Sequence, residues 1–236
     1  MNISTVFMKK NKHFFYLLLF VPLLLWFYAC EKSMQPKYNV HCVLDNYIPF
    51  IKYFIIPYLL WFPYMGFAFL YLGLKDKKSY LKLLLFLISG MSISYIIFIA
   101  FPNGQDLRRE IEGKDVFLSL VTFIRNIDPP TNVCPSIHVL NSIGVHTVIS
   151  NSDNTSRRVK LFSLINMILI CASTVFIKQH SILDVIAGVG IALVLSIVIY
   201  VFPNLYLSKN RIGHLKENNK VKIRRMFSSK QGDRFP

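Results

Sequence analysis

Two short segments, "CPSIH" at residues 134–138 and "HSILD" at residues 180–184, contain side chains that could carry out a reaction together. His180 and Asp184 are four residues apart, so on a helix they would lie on one face, one turn from each other. The carboxylate could hold one imidazole nitrogen and leave the other free to attack an electrophile. His138 could then pass a proton to a leaving group, and Ser136 could donate a hydrogen bond to the substrate.

The first segment also predicts a binding place for an anion. Proline is favoured at the first helical position, so Pro135 predicts that a helix begins there. The free N–H groups and the positive dipole end of a helix N-terminus bind phosphate groups well. Neither segment is accompanied by the further His, Cys or carboxylate ligands that Zn²⁺ or Mg²⁺ requires. We therefore predict a phosphate site that uses no metal and no cofactor.

The composition predicts an integral membrane protein. Of the 236 residues, 53% are hydrophobic and only 17% are charged, against roughly 25% in soluble domains. The formal net charge of +15 comes from short basic blocks between apolar runs and from the end of the chain. Nucleic-acid-binding proteins instead carry their basic residues as a stripe on a recognisable module. This distribution argues against nucleic acid as a partner and in favour of a membrane.

Six apolar stretches approach the length of about 20 residues that a bilayer-spanning helix needs. The fourth stretch contains the polar "PSIH" residues, which are costly in lipid and indicate a function there. We predict an all-α polytopic protein with a six-helix membrane domain over residues 1–208 and a motif-bearing core at about 102–202. The six predicted spans are approximately His13–Cys30, Tyr53–Leu74, Leu83–Phe101, Pro135–Ile149, Leu161–Ile177 and Ile182–Phe202.

The distribution of lysine and arginine predicts the orientation. A cytoplasmic N-terminus places most of the 27 basic residues in cytoplasmic segments, as the positive-inside rule requires. Both termini would then be cytoplasmic, with residues 209–236 as a basic tail. The long loop from Pro102 to Cys134 and the two motif segments would lie on the extracytoplasmic face. The Lys- and Asn-rich loops with abundant Ile indicate an AT-rich genome, so we expect a multi-pass protein of a bacterial cell membrane.

These motifs resemble those of the type-2 phosphatidic acid phosphatase superfamily, whose members are six-helix membrane enzymes with an active site on the outer face. The second signature motif of that family reads Pro-Ser-x-His, and the third begins with serine and ends in His-x-x-x-Asp. The order of the motifs and their helical context agree over the second half of the chain. The matching positions are Pro135, Ser136 and His138 in the second motif and Ser173, His180 and Asp184 in the third.

The first and third motifs depart from the family pattern. The first motif is a lysine, six residues and Arg-Pro, and the best candidate here is "FPNGQDLRRE". Arg108 occupies the arginine position, but Phe101 stands where lysine belongs and Arg109 where proline belongs. In the third motif, Thr174 stands where an arginine normally follows the serine. Two of the cations that usually bind phosphate are therefore missing.

Other basic residues could replace these cations. Lys178 lies close before the third-motif histidine and could supply one charge, and Arg109 or Arg125 could supply another from the loop. The substrate-binding residues that we predict are Arg108, Ser136 and Lys178.

The resemblance implies a metal-free reaction that agrees with the residue chemistry. His180 would attack phosphorus to form a phosphohistidine, Asp184 would stabilise the imidazolium, and His138 would protonate the departing alcohol oxygen. Water would then hydrolyse the intermediate. We expect a membrane phosphatase acting on a lipid phosphate or diphosphate such as phosphatidic acid, phosphatidylglycerol phosphate or a polyprenyl diphosphate.

Two alternatives remain open on the sequence. A phosphotransferase would pass the phospho-headgroup to an alcohol such as inositol, and "DNYIPFIKYFIIPYLLWF" at residues 45–62 is similar to the inositol phosphotransferase branch. A transporter or binding protein would use the same residues as an anion site without turnover. Only the enzymes need an oriented nucleophile.

Overall fold

The structure is a computed structural model, and it describes residues 11–108 and 110–202. It is mostly helical, which confirms the all-α prediction. The chain divides into two compact units, Met1–Leu195 and Ser196–Pro236. All the predicted site residues lie in the first unit. In the second, the described residues include a π-helical turn, Ile197–Val201. The predicted basic tail and Arg109 lie outside the described residues.

The helices are joined by short turns and by two longer connections, one between α1 and α2 and one between α4 and α6. A 3₁₀ segment, Lys12–Leu19, leads into the first α-helix. Two further 3₁₀ turns, Val43–Asn46 and Lys52–Phe54, precede the second. In the described part of the chain the α-helices are α1 Phe20–Ser33, α2 Ile55–Leu59, α3 Trp61–Lys75, α4 Lys77–Ala100, α5 Val116–Ile127, α6 Ile137–Ser150, α7 Arg157–Phe176 and α8 Ile182–Ser196.

Within residues 11–108 and 110–202, five helical stretches are long and apolar enough to cross a membrane, which supports a membrane protein. The fourth predicted span corresponds to α6, which has 14 residues and is therefore about 21 Å long. A typical hydrocarbon core is about 30 Å thick, so six spans and the orientation of the chain stay predictions. The five stretches are Lys12–Ser33, Lys52–Lys75, Lys77–Ala100, Arg157–Phe176 and Ile182–Val201.

The long loop between α4 and α6 is more ordered than the sequence analysis assumed. It contains α5, whose first turn is capped by the Asp115 carboxylate accepting from the Leu118 N–H at 3.0 Å. Leu118, Val121 and Ile124 recur at intervals of three residues and are buried. Val121 and Ile124 pack in one cluster with Tyr58 of α2 and with the end of α7. The start of the loop is held by a two-strand parallel pair, β1 Tyr38–Asn39 with β2 Asn103–Gly104.

Helix α6 is the central helix of the first unit. It packs against α3, α4 and α7, and most of its residues are buried. Its N-cap is Ser136 and its first helical residue is Ile137, so the predicted helix start at Pro135 was wrong. The Ser136 side chain accepts from the Val139 N–H, and a serine in that role displaces the start of the helix by two residues.

The close approach of α8 to the start of α6 depends on Gly188. A methyl group at this position would lie 2.8 Å from the Ser136 carbonyl oxygen, a backbone atom that cannot move aside easily. A methyl group on Gly190, two residues further along α8, would meet nothing within 4 Å.

We therefore expect Gly188→Ala to destabilise the protein by roughly 1–3 kcal/mol, as overpacking does. Gly190→Ala should leave stability unchanged or raise it by up to about 1 kcal/mol through helix propensity. Thermal unfolding of both variants in detergent measures the difference. Equal melting temperatures for the two variants would contradict the tight contact.

Candidate active site

The two halves of the third motif meet at the start of α8. His180 Nδ1 lies 3.1 Å from Asp184 Oδ2, as the four-residue spacing predicted. An ionised carboxylate can only accept hydrogen bonds, so Nδ1 carries the proton and Nε2 has a free lone pair. The same Oδ2 accepts the Ser181 N–H at 2.9 Å. Asp184 is completely buried, and His180 is 8% exposed. The pair therefore has the tautomer and the orientation that a nucleophilic histidine needs.

A backbone hydrogen bond joins the second motif to the third. The Ser136 N–H donates to the Asp184 carbonyl oxygen at 3.0 Å. The Ser136 hydroxyl oxygen accepts from the Val139 N–H at 3.4 Å and is completely buried. These contacts place Ser136 beneath the site, and its predicted contact with phosphate stays a prediction.

His138 lies in the first turn of α6 and faces His180, with 5.8 Å between the ring centroids. Two aromatic rings hold it in place. Tyr58 lies 4.6 Å and Trp61 lies 4.7 Å from the His138 ring, centroid to centroid. Sequence reasoning missed both as site residues. Their signal was the aromatic segment 45–62, which was read only as a family likeness.

Both histidines line one cavity of about 290 Å³. Its two ends differ in chemistry, because polar groups gather around the histidines and apolar side chains line the remainder. The polar lining residues are Arg108, Asp128, Asn132, His138, Gln179 and His180. The apolar lining residues include Leu24, Phe27, Trp61, Phe62, Met91 and Ile137.

Arg108 is the cation at the polar end. Its guanidinium donates to the carbonyl oxygens of Asp128 at 2.7 Å and Arg125 at 3.2 Å, and also to Gln179 Oε1. Burial lowers the pKa of Arg108, while the charge of Asp128 acts in the opposite direction. Arginine stays protonated under such shifts. Its Nε and the Gln179 Nε2 find no hydrogen-bond partner among the described residues. Both are buried donors that the described part of the protein leaves unsatisfied.

The other predicted cations lie elsewhere. Lys178 Nζ donates to the Asp45 carbonyl oxygen at 2.7 Å, and Lys178 does not line the cavity with the histidines. It lines a second cavity of about 290 Å³ together with Arg125. Burial, together with the charge of Arg108, lowers the pKa of Arg125 to about 10. The structure thus brings Arg108 to the histidines but does not bring Lys178 or Arg125 into the same cavity.

Three uncharged residues to which the sequence analysis assigned no role hold these segments together. Gln105 donates to the carbonyl oxygens of Lys178 at 3.2 Å and Gln179 at 3.4 Å. Asn103 donates to the Cys134 carbonyl at 2.9 Å and accepts from its N–H at 2.8 Å. Thr174, at the position of the missing arginine, is buried, and its carbonyl accepts from the Gln179 and His180 N–H groups. Their only sequence signal was their nearness to the motifs.

Other chemistry receives little support from the described residues. Across residues 11–108 and 110–202, no three His, Cys, Asp or Glu side chains are grouped as a metal ion would need. The Cys134 thiol is next to the site, but burial and the charge of Asp184 raise its pKa to about 12. It is protonated at neutral pH and is a poor nucleophile.

A comparison with family models found a match to the PAP2 superfamily over residues 104–206. The matched segment includes both histidines, Arg108 and the helices α5 to α8. It excludes Tyr58 and Trp61, which lie earlier in the chain. The comparisons with curated proteins and with solved structures found no match. The predicted resemblance is confirmed: a family model of the PAP2 superfamily matches the segment that carries the second and third motifs.

Proposed function

We propose that this protein is a membrane phosphatase that hydrolyses a lipid phosphate or diphosphate through a phosphohistidine, without a metal ion. The observation that carries the proposal is the His180–Asp184 hydrogen bond of 3.1 Å beside His138, in one cavity with Arg108. PAP2 superfamily members are generally phosphatases, which supports a phosphoric-ester hydrolase at the coarse level.

In the first step, His180 Nε2 attacks the phosphorus atom and the bond from phosphorus to the alcohol oxygen breaks. His138 gives its proton to that oxygen, so the alcohol leaves in neutral form. The new P–N bond leaves a positive charge on the imidazole of His180. Asp184 stabilises this charge through the hydrogen bond to Nδ1.

In the second step, water attacks the phosphohistidine. His138, now neutral, takes a proton from the water, and the P–N bond breaks to return His180 and release phosphate. Each histidine ends in its starting protonation state, so the cycle is balanced. The 5.8 Å separation of the ring centroids lets both histidines face one phosphoryl group.

The phosphoryl oxygens would bind at the polar end of the cavity. Arg108 and Gln179 supply the buried donors, and the N-terminus of α6 adds its dipole. Charge on the equatorial oxygens is greatest in the transition state, so donors fixed in advance lower the barrier. The guanidinium of Arg108 is fixed by two carbonyl oxygens and an amide, so it needs no rearrangement to bind the substrate.

The apolar end of the cavity favours a substrate with a hydrocarbon tail. Leu24 of α1 and Phe62 of α3 line it and are 57% and 54% exposed on the outer surface of helices that can span the membrane. A tail could enter between these helices while the headgroup reaches the histidines. In the orientation that the basic residues predict, the site would face the outside of a bacterial cell membrane.

A phosphotransferase is the second candidate, and the second cavity favours it. That cavity has hydrogen-bonding side chains that suit a polyol, namely Asn46, Glu110, Arg125 and Lys178. Lys178 and Gln179 are adjacent residues that line different cavities, so a bound alcohol there would lie near the phosphohistidine. A transferase would release the phosphoryl group only when its acceptor alcohol is present.

His180→Ala should abolish turnover, because no other described side chain that lines the cavity is a nucleophile held in place by a carboxylate. The purified protein in detergent and EDTA is incubated with a panel of labelled lipid phosphates and diphosphates. Wild type should release phosphate and carry an acid-labile, alkali-stable label that the variant lacks. A labelled wild type that loses its label only when an alcohol is added, with formation of the phosphate ester of that alcohol, would be a transferase. Absence of both label and release, with and without alcohols, would favour an anion-binding or transport protein.

His138→Ala should lower kcat by about 10²–10⁴-fold, the usual contribution of acid–base catalysis. The matched control is His146→Ala on the same helix, since His146 bonds to Ser163 and does not line the cavity. The control should retain activity within a few-fold. Equal losses in the two variants would mean that His138 acts only through the packing of α6.

The variants Arg108→Gln and Lys178→Gln test which cation binds the phosphate. The sequence predicted both residues as ligands, but the structure places only Arg108 in the cavity with the histidines. Arg108→Gln should lower kcat by about 10²–10³-fold, as removal of one oxyanion donor does, whereas Lys178→Gln should cost much less. Steady-state release of phosphate from the preferred lipid measures both. A larger loss for Lys178→Gln would restore that lysine as the phosphate ligand.

A further inference from the structure

The carboxylate of Asp45 is buried at the start of α8, although Asp45 is 135 residues before His180 in the chain. Only 2% of the residue is exposed. Its Oδ2 accepts from the Ser181 hydroxyl at 2.6 Å and from the Cys42 N–H at 2.8 Å. Its Oδ1 accepts from the Ile182 N–H at 2.8 Å. Two of the three donors therefore belong to the third-motif segment and only one to the turn that contains Asp45.

Ser181 is the residue that links Asp45 to the nucleophile. It is completely buried and follows His180 directly. Its hydroxyl donates to Asp45, while its N–H donates to Asp184 Oδ2 at 2.9 Å. That same Asp184 oxygen lies 3.1 Å from His180 Nδ1. A displacement of Ser181 would therefore move the carboxylate that orients the imidazole.

Asp45 is well placed to act as a charged acceptor. Burial raises the pKa of Asp45, but the hydrogen bonds from Ser181, Cys42 and Ile182 outweigh this effect and leave the pKa below its usual value. The carboxylate is thus ionised at neutral pH. The positive dipole end of α8 stabilises the same charge, because the Ile182 N–H is the first of that helix.

We infer that Asp45 is a positioning residue for the proposed nucleophile. It holds Ser181 and the first turn of α8 so that Asp184 keeps His180 oriented into the cavity. The inference rests on the proposed function for the role of His180. Asp45 lies outside the segment 104–206, so the family match does not assign it.

Asp45→Ala would leave the buried Ser181 hydroxyl and two partly buried N–H groups without this acceptor and let Ser181 shift. Misplacement of a reacting group by about 1 Å can cost about 10²-fold in rate, so we expect kcat to fall about 10²-fold with KM changed by less than a few-fold. The ¹⁵N-histidine NMR signal of His180 Nδ1, identified by its loss in His180→Asn, should shift or broaden.

Asp76→Ala is the matched control. Asp76 lies at the start of α4 and accepts from the Ser79 N–H at 3.1 Å and from the distant Ser152 hydroxyl at 2.7 Å. It therefore makes the same kind of helix-start contact away from the cavity. This variant should lose stability but keep both kcat and the His180 signal.

Two milder variants keep the inference testable if Asp45→Ala does not fold. Asp45→Asn retains one acceptor oxygen and turns an amide toward a backbone N–H, so its kcat should lie between those of wild type and Asp45→Ala. Ser181→Ala removes the linking hydroxyl. Both changes affect the same hydrogen bond between Ser181 and Asp45. The double variant should therefore lose less kcat than the sum of the losses, as free energies, of Asp45→Asn and Ser181→Ala.

The outcomes separate this inference from the proposed function. Equal effects of Asp45→Ala and Asp76→Ala on kcat, or additive losses in the double variant, would overturn the positioning role while leaving the phosphatase intact. If wild type turns over no phosphate ester, the proposed function fails, and the positioning role of Asp45 is then tested by the NMR signal alone. A His180 signal unchanged in the Asp45 variants would then refute the positioning role.

Discussion

The need to stabilise one buried carboxylate organises this site. Asp184 lies in an apolar helix with no exposed surface, where an unpaired charge would cost several kcal/mol. Its oxygen accepts from His180 and from the Ser181 N–H, and its carbonyl accepts from the Ser136 N–H. These contacts of Asp184 therefore also orient the proposed nucleophile and fix α6, which carries His138, against α8.

The residues that hold the site extend beyond the family segment. Residues 104–206 contain the proposed reacting groups, but Asp45 caps the start of α8, and Tyr58 and Trp61 enclose the His138 ring. The Tyr58 hydroxyl also donates to Asp128 Oδ2 at 2.9 Å, which ties α2 to the cavity wall. Residues before position 104 thus hold in place the proposed reacting groups that residues 104–206 provide, and the proposed chemistry depends on both.

Local spacing explains which features could be predicted. The His180–Asp184 contact joins residues only four apart, so the spacing was a sufficient signal, although His180 lies two residues before the first helical residue of α8. Helix α5 had a readable signal, Asp115 before apolar residues three apart, but it was too short to count as a span. The sequence could not predict where the Lys178 side chain points. Lys178 has a positive φ of 61°, and its side chain donates to the Asp45 carbonyl oxygen, whereas the neighbouring Gln179 accepts from Arg108. Contacts such as Tyr58 with His138 join residues distant in sequence and depend on the packed helices.

The use of one histidine as acid and then base limits where an acceptor can bind. In the proposed cycle, the oxygen that attacks the phosphohistidine occupies the place that the leaving oxygen vacated, next to His138. That place is bounded by the Tyr58 and Trp61 rings, whose centroids lie 4.6 Å and 4.7 Å from that of His138. An alcohol held in the second cavity would have to pass the Lys178–Gln179 turn to reach the same position. An acceptor is therefore decided by what can reach the position beside His138, and a polyol in the second cavity is not yet at that position.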